Sequence, residues 1–519
     1  MKAPINERAF RPGDPNTVKG TDASGNVDDI LLPIHYQYVA TQSYDAGSPL
    51  DGWTQSTTQG SNSTSVVEFS NGTGRYFYDG TSWSLVNFDP KEVTYGHGSF
   101  PAVSNFTGNG TMSWTYRGVH FRTYFTYFDT SPGLDAMVNY FDWETGLFGT
   151  PVNWGQPQAG ATDTHAQPAI CVSADGYIIV SQEKLLSVSS HNSPVHIRRS
   201  TNPEDISSWA AVAGSPFSTN LSYGKFTRLA NGRLMLLNRH YRPSVVNWIS
   251  DDNGITWTNF DGTALGAEGV QTTSFIVSYQ DNSWAYGQGF QLDNGFALSL
   301  DRRLNSPSVY PQDFLLFTFD GVTWGNWVWY VNGGTGGFSK DCAASGPIDQ
   351  TELNDNFLVA GAINSNSTTL QYGMRDVKVA DEILAITYSH KSSVQNWQQT
   401  MKVFDRTGAV IAENDVYSNT INPSSGTYNL GLSLIVVIDA SRGVYDLLIK
   451  EDSGQLVRYR TNDYGKSFVR RPDDLTLGTA SSAGRGFGDW HPEYKIQTYI
   501  WEDSTAGGEF FAIRTDKLE

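Results

Sequence analysis

The chain has 519 residues, with 35 Lys and Arg against 53 Asp and Glu, and a formal net charge of -18. This charge argues against nucleic acid as a partner, because proteins that bind a duplex normally neutralise its phosphates with Lys and Arg. Aromatic residues make up 13% of the chain and there are 51 glycines, which favours many short strands joined by tight turns over helices.

The first 90 residues differ from the rest, and we predict that they form an N-terminal arm or small β module ahead of a main domain at residues 91–519. Residues 55–73 are dominated by Ser, Thr, Asn and Gly around one short apolar run. The stretch Tyr76–Trp83 places Asp79-Gly80 between aromatic residues, which predicts a hairpin. The N-terminus lacks the apolar core of a signal peptide, and no apolar run approaches the length of a membrane span. We therefore expect no membrane partner, and an extracellular or virion-associated protein that is exported without a cleaved signal.

From about Thr94 onward the sequence repeats a coarse pattern, in which alternating apolar strands flank a Gly-containing turn. No amphipathic helical pattern of ordinary length competes with these strands. The clearest hairpins are predicted at residues 169–180, 228–237 and 291–300. Further strands are predicted at residues 384–388, 432–437, 496–501 and 510–514.

The sharpest repeat is the Asp-box, a pattern of Ser or Thr, x, Asp, x, Gly, x, Ser or Thr, and an aromatic residue. Residues 250–257 and 461–468 fit it in full, and residues 318–324 form a version one residue shorter. In such a turn the Asp caps main-chain amides and the Gly supplies a positive φ, so the role of the Asp is structural. The boxes predict an all-β propeller. About 430 residues at about 60 per blade correspond to a seven-bladed β-propeller, with six or eight blades as the neighbouring counts.

Four residues that could carry chemistry fall close together within these repeats. His165 precedes a predicted strand and His191 lies between strands one hairpin later, so both are expected at the same rim. Tyr223 and Arg239 bracket the hairpin that turns at Asn231-Gly232, and they are expected to meet near one end of their blade. An Arg at the end of an apolar strand should face an anion, because burial without a partner is costly.

An anionic partner would have to meet a local basic patch, because the net charge of the chain is strongly negative. The sequence offers one such patch within neighbouring repeats: His196, Arg198, Arg199, Lys225, Arg228, Arg239 and Arg242. The predicted substrate-binding residues are Asn192, Arg198, Arg199, Lys225 and Arg242.

Several of these motifs together resemble a known family, the BNR-repeat propeller lyases, which are seven-bladed polysaccharide lyases that include ulvan lyases. The resemblance is strongest over residues 140–260 and is absent from residues 1–90. It continues through Tyr223, Arg239 and the Asp-box at Ser250, and it departs from the family where Ala-Gln follows His165. The motifs that carry it are Asp163–Ile170, Ala174–Tyr177, His191–Pro194 and Arg198–Trp209.

The resemblance implies β-elimination at a uronic acid in an anionic polysaccharide, with His165, His191, Tyr223 and Arg239 as the catalytic residues. In that scheme Arg239 neutralises the carboxylate, His191 assists it, and His165 or Tyr223 removes the C5 proton. Tyr223 is the expected proton donor to the leaving oxygen. Which residue is the base stays open, and a second tyrosine among Tyr241, Tyr279, Tyr286 and Tyr310 could also take part.

The scheme requires no cofactor, although some members of the family bind a structural metal ion, whose ligands the motifs here do not identify. The two cysteines, Cys171 and Cys342, give neither a disulfide framework nor a CxxC metal pattern. Cys171 is expected to be a small buried apolar residue.

Two other functions are compatible with the sequence. One is a sialidase-like glycoside hydrolase, which would use an arginine cluster and either a Tyr with a Glu or two carboxylates that flank the bond. Arg302-Arg303 and Tyr241-Arg242-Pro243 are the residues that it could use. The other is a phage tail or receptor-binding protein that grips a glycan without cutting it, as a homo-oligomer or with other virion proteins.

Overall fold

A computed structural model of the chain describes part of the sequence in detail. The described residues are 113–129, 135–144, 146–155, 168–183, 194–217, 221–240, 244–267, 270, 274–278, 283–304, 312–361, 372–391, 397–419, 433–451, 456–471, 486–491, 493–503 and 507–514, with the strands of residues 17–97 given below. The chain divides into two compact units. The first comprises Met1–Pro90, His120–Arg122 and Phe141–Gly149, and the second comprises Lys91–Val119, Thr123–Tyr140 and Thr150–Glu519.

Within residues 1–90 the description is limited to the backbone of six strands. The predicted hairpin at Tyr76–Trp83 is present, with Tyr78 opposite Trp83. The predicted division of the chain at residue 90 stays a prediction. The first two strands pair with each other and the next four form one sheet in chain order: β1 (Thr17–Thr21), β2 (Val27–Leu31), β3 (Thr54–Gln59), β4 (Ser65–Ser70), β5 (Arg75–Tyr78) and β6 (Trp83–Leu85).

Among the described residues, seven further antiparallel sheets follow one another along the chain and form the blades of a seven-bladed β-propeller. The predicted fold class and blade number are therefore confirmed. The next strand of the chain, β7 (Glu92–His97), belongs to the last blade. Blade 1 contains β8 (Ser113–Arg117), β9 (Phe121–Asp129), β10 (Asp135–Asp142), β11 (Leu147–Phe148) and β12 (Val152–Asn153). Blade 2 contains β13 (Ala169–Val172), β14 (Ile178–Glu183), β15 (Val195–Ser200) and β16 (Trp209–Ala211).

Blade 3 contains β17 (Leu221–Arg228), β18 (Leu234–His240), β19 (Ser244–Ser250), β20 (Thr258–Asn259) and β21 (Val277–Ser278). Blade 4 contains β22 (Ser283–Gln291), β23 (Phe296–Leu304), β24 (Gln312–Thr318), β25 (Thr323–Gly325), β26 (Ser339–Asp341) and β27 (Leu358–Gly361). Blade 5 contains β28 (Tyr372–Ala380), β29 (Ile383–Lys391), β30 (Trp397–Phe404) and β31 (Val410–Asn419).

Blade 6 contains β32 (Ser433–Asp439), β33 (Val444–Lys450), β34 (Leu456–Thr461) and β35 (Val469–Arg471). Blade 7 contains β36 (Gly486–His491), β37 (Ile496–Asp503) and β38 (Gly507–Arg514), and its fourth strand is β7. The pairing of β7 with β38 sets Thr94 opposite Phe511. This sheet is therefore built from both ends of the repeat region, so the ring of blades is closed by main-chain hydrogen bonds.

The blades pack face to face because successive residues of a strand point to opposite faces of its sheet. In β18, Leu234 and Leu236 belong to the apolar cluster shared with blade 2, whereas Met235 and Leu237 belong to the cluster shared with blade 4. Both seams are therefore filled by one strand. This double burial explains why the strand sequence is an unbroken apolar run rather than an alternating one.

Short helices interrupt blade 4, where no helix was predicted. They are α1 (Trp327–Val331), α2 (Cys342–Ser345) and α3 (Gln350–Asn356). The Asp349 and Glu352 side chains form a capping box at the start of α3, which stabilises so short a helix by pairing its first amides. Cys171 and Cys342 are both free and buried, as expected of Cys171. No helix of the described segments is long and apolar enough to cross a membrane.

The turn at residues 250–257 is held by the Asp252 carboxylate. Its oxygens accept hydrogen bonds from the Thr256 amide at 2.9 Å, the Thr256 hydroxyl at 2.6 Å and the Ser250 hydroxyl at 2.8 Å. Gly254 has a φ of +82°, and the Trp257 indole donates to its carbonyl oxygen at 3.3 Å. Asp463 repeats the pattern with Ser467 and Thr461. These aspartates therefore serve the turns that they cap.

Polar groups of the first strands join one blade to another. Arg228 of β17 donates to the carbonyl oxygens of Val172 and Ser173 in blade 2 at 3.2 and 3.1 Å. Asp376 of β28 accepts from Lys378 at 2.6 Å and from the Ile435 amide of blade 6 at 2.8 Å. Because charges in such positions must be paired, these contacts fix the first strands against one another.

Replacing Asp252 by Ala should destabilise the protein by about 2 kcal/mol, because the turn loses a charged acceptor of several hydrogen bonds. Urea unfolding followed by tryptophan fluorescence measures this change. Asp251→Ala is the matched control. Asp251 is exposed and pairs with Arg233 at 2.7 Å, so its loss should change stability by less than about 1 kcal/mol. Equal effects of the two changes would contradict a capping role.

His491 makes the stability depend on pH. Burial, with the Lys378 ammonium nearby, lowers the pKa of His491 to about 3, and its Nδ1 accepts from the Thr115 amide at 3.4 Å. Protonation therefore favours the unfolded chain, whose His titrates near its ordinary value. Between about pH 6.5 and pH 3 this residue should remove about 1.4 kcal/mol of stability per pH unit.

His491→Asn keeps a hydrogen-bond acceptor but cannot be protonated in this range. Its unfolding free energy should fall less steeply than that of the wild type as the pH is lowered, while the acid titration of carboxylates affects both proteins alike. Urea titrations between about pH 4 and pH 7 test this. Parallel curves for the two proteins would show that His491 does not titrate on unfolding.

Candidate functional site

Four of the predicted site residues, His165, His191, Asn192 and Arg242, lie outside the described residues. The strands on either side of them are described. In blade 2, Ala169 is opposite Ser181 and Glu183 is opposite Val195, so β13 begins, β14 ends and β15 begins at one edge of the sheet. The chain therefore leaves blade 2 at this edge at the end of β14 and returns to it there at the start of β15. It also enters blade 2 at this edge at the start of β13.

Blade 3 has the corresponding edge. Leu221 is opposite His240, and His240 is opposite Ser244. We call the edges of blades 2 and 3 at Ala169, Glu183, Val195, Leu221, His240 and Ser244 the upper edge, and the opposite edges at Val172, Ile178, Ser200, Arg228, Leu234 and Ser250 the lower edge.

The two upper edges lie on the same side of the molecule. At the lower edge, Arg228 of blade 3 bonds to Val172 of blade 2. In the upper half, a Cβ added to Gly224 of blade 3 would lie 3.2 Å from the Ser181 hydroxyl of blade 2. The upper edges of blades 2 and 3 therefore lie at the same end of their shared seam. The prediction of a common rim for His165, His191, Tyr223 and Arg239 requires this orientation.

Tyr223 and Arg239 lie on paired strands near the upper edge. Ser222 is opposite Arg239 and Lys225 is opposite Leu237, with a register shift between the two pairs. Tyr223 and Gly224 thus form a β-bulge opposite the single residue Asn238. A bulge re-aims the side chains beside it and is common next to active sites. The regular pairing of β17 with β18 is therefore interrupted at residues 223 and 224.

Arg239 and Lys225 lie on the face of blade 3 that packs against blade 4. Arg239 is opposite Val245, a member of the cluster shared with blade 4, and a Cβ added to Gly289 of β22 would lie 3.3 Å from the Lys225 side chain. The Arg239 residue is 8% exposed and Lys225 is 4% exposed. Two cationic side chains are thus largely withdrawn from water in one seam, where they act more strongly on an anion than at a surface.

Arg199 is placed away from these residues. Its guanidinium donates to the Asn253 carbonyl at 3.1 Å, lies 3.5 Å from Asp175 and stacks 3.3 Å from the centre of the Tyr177 ring. Asp175 and Asn253 belong to lower-edge turns, so Arg199 joins blades 2 and 3 at the edge opposite to Tyr223 and Arg239. Arg198 is a half-buried residue of β15, the third strand of blade 2. The structure does not bring either arginine together with Arg239.

Two polar residues of blade 3 were missed in the sequence. Asn238 is 1% exposed, and within the described part of the chain neither its Oδ1 nor its Nδ2 has a hydrogen-bond partner. His240 has a buried Nε2 that also lacks a partner. Burial lowers the pKa of His240, which keeps its imidazole neutral at physiological pH, and its ring lies 5.3 Å from that of Phe275. Asn238 and His240 precede and follow Arg239 in β18, so they lie on the opposite face of the sheet, toward blade 2. The signal that could have identified these two residues is the change from leucine to Asn238 and His240 at the end of an apolar strand.

The described part of the chain contains no group of three or more His, Cys, Asp or Glu side chains that could hold a metal ion. It therefore offers no ligand set for the structural metal that some propeller lyases bind. The expectation that no cofactor is needed stays a prediction.

The fold is that of a seven-bladed β-propeller. A family model described as a BNR repeat-containing family member matches residues 122–247, the region that holds blades 1 to 3 up to β19. No curated protein sequence matches the chain.

Solved structures identify the propellers to which this chain is similar. An ulvan lyase bound to GlcA(1-4)Rha3S is 15% identical, with a TM-score of 0.55 over 80% of this chain and 95% of the lyase. The polysaccharide lyase Uly1 is 13% identical, with a TM-score of 0.52 over 79% of this chain and 90% of its own. The predicted resemblance to BNR-repeat propeller lyases is thus confirmed, and at these identities the likeness is one of fold.

Proposed function

We propose that the protein is a polysaccharide lyase that cleaves a uronic-acid-containing anionic polysaccharide, similar to ulvan, by β-elimination. The observation that carries the proposal is the arrangement of the upper edge. Tyr223 and Arg239 stand on paired strands of blade 3, at the edge where the strands flanking His165 and His191 begin and end in blade 2. The similarity in fold to two polysaccharide lyases supports it.

In the proposed reaction the C5 proton of the uronate is removed and the C4–O bond breaks. The electron pair of the C–H bond becomes the C4–C5 double bond, and the leaving 4-oxygen takes a proton. The C5 proton is weakly acidic because its removal places negative charge on the adjacent carboxylate. The largest contribution to catalysis is therefore a preorganised positive group at that carboxylate.

Arg239 is assigned to the carboxylate. A guanidinium matches a carboxylate with two parallel donors. The burial of Arg239 supports the assignment, since the electrostatic effect of a cation grows as water is excluded. Lys225, on the same face of the sheet, adds positive charge to this seam. The protein as a whole is acidic, so such local charge is what an anionic chain would need to bind.

Proton transfer is assigned to the residues around the bulge. Tyr223 is the proposed donor to the leaving oxygen, and His165 or Tyr223 is the base, with His191 helping to neutralise the carboxylate. Asn192 and Arg242 are proposed to bind neighbouring sugars. Arg199 is left out of this set because its guanidinium bonds at the lower edge. The reaction uses no cofactor, and we place it outside the cell or on a virion.

The proposed activity can be tested directly with ulvan and other uronate polymers. A lyase produces a chain end with a double bond conjugated to the carboxylate, so ultraviolet absorbance should rise together with reducing ends. Reducing ends without that absorbance would identify a hydrolase. Binding to the polymer without either product would identify a glycan-binding protein, as in a phage tail, and would refute the lyase.

Arg239→Lys should lower kcat/KM by about 100-fold, because the ammonium keeps the charge but loses the two-pronged geometry in the transition state. The matched control is Arg199→Lys, an arginine of the neighbouring blade that bonds at the lower edge. This control should leave kcat/KM near the wild-type value. Circular dichroism and thermal unfolding must show both variants folded. Equal activity losses in the two variants would remove Arg239 from the site.

A further inference from the structure

One residue beside the proposed site is buried in a way that the fold does not explain. Asn238 is 1% exposed, and both the oxygen and the nitrogen of its carboxamide lack a hydrogen-bond partner among the described residues. The same face of β18 also carries Leu234 and Leu236, both fully buried in the cluster shared with blade 2, and His240 at the upper edge. A leucine has the same number of side-chain heavy atoms as an asparagine and would fill this position without burying an unsatisfied amide.

The location of this amide ties it to the proposed catalytic tyrosine. Asn238 is the one residue of β18 opposite the bulge of Tyr223 and Gly224. A Cβ added to Gly224 would lie 3.3 Å from Asn238 Oδ1, 3.2 Å from the Ser181 hydroxyl and 3.4 Å from Leu236. The carboxamide therefore lies directly against the bulged backbone, with the Ser181 hydroxyl on the other side of the seam.

A buried amide without partners is unfavourable for folding, so a group from outside the chain should complete its hydrogen bonds. The carboxamide can both donate and accept, and the Ser181 hydroxyl beside it can do the same. The group that matches both is another hydroxyl. A water molecule and a sugar hydroxyl both have this chemistry. A charged ligand would have no ion partner on this face of β18, because Leu234 and Leu236 are apolar, Asn238 is neutral and burial lowers the pKa of His240.

We propose that Asn238, together with Ser181, binds a hydroxyl group behind the Tyr223–Gly224 bulge and so positions Tyr223 for proton transfer. This inference rests on the proposed lyase function. Asn238 is then a positioning residue, since a leucine at this place would give a more stable folded protein. The two faces of β18 then have different roles. Arg239 faces blade 4 and provides a positive charge, whereas Asn238 faces blade 2 and provides a neutral amide.

The test is Asn238→Leu, compared with Asn247→Leu. Asn247 is the matched control because it is equally buried in the next strand but donates to the Gly321 carbonyl at 2.6 Å. Asn238→Leu should unfold at or above the wild-type temperature and lose about 100-fold in activity. Asn247→Leu should unfold at a lower temperature and, below that temperature, keep the wild-type kcat and KM.

The kinetic constants distinguish the two sources of the hydroxyl. A fall in kcat at constant KM indicates a bound water that orients Tyr223, and a rise in KM indicates a sugar hydroxyl. Asn238→Ser, which restores a donor and an acceptor, should recover part of the loss in either case. Wild-type kcat and KM in Asn238→Leu would overturn the inference, as would a loss of stability with full activity. If the wild type itself forms no unsaturated product from uronate polymers, the proposed function has failed, and the inference fails with it for that separate reason.

Discussion

The structure depends on the closure of seven sheets into a ring. Each blade buries both of its faces against its neighbours, so a sheet at an open end would expose an apolar face to water. The pairing of β7 with β38 prevents this by building blade 7 from both ends of the repeat region. Polar groups near the first strands reinforce the ring, because Arg228 links blade 3 to blade 2 and Asp376 links blade 5 to blade 6.

This constraint also explains where a site can form. The seams are apolar over most of their length, and polar residues enter them toward the upper edge of blades 2 and 3. Blade 3 shows the change within one strand, from Leu234 and Leu236 to Asn238 on one face, and from Met235 and Leu237 to Arg239 on the other. Residues that carry chemistry are thus held by the same strands that form the core, which gives them the rigidity that catalysis requires.

The strength of a pattern in the sequence decided how well each element was predicted. Turns with fixed residue types, such as the turn that Asp252 caps, could be predicted from the sequence. The short helix α3 was missed although its capping box, Asp349 and Glu352, is a recognisable start signal, because no apolar periodicity accompanies so short a helix. Arg199 was grouped with the substrate-binding residues because it is close in sequence to other basic residues. Its bonds to Asp175 and Asn253 instead tie it to the lower edge.

The sequence by itself indicated the class of fold and a count of about seven blades, because these follow from local turn chemistry and from repetition along the chain. The resemblance to propeller lyases came from particular motifs between residues 163 and 209. Only the tertiary structure decided which face and which edge each side chain occupies. Arg199 and Arg239 are both arginines of predicted strands, yet the bonds of Arg199 are at the lower edge of blade 2, whereas Arg239 lies near the upper edge of blade 3. The bulge at Tyr223 and the unpaired amide of Asn238 are likewise invisible in the sequence, because strand register and the packing of one blade on the next are set by contacts between residues far apart in the chain.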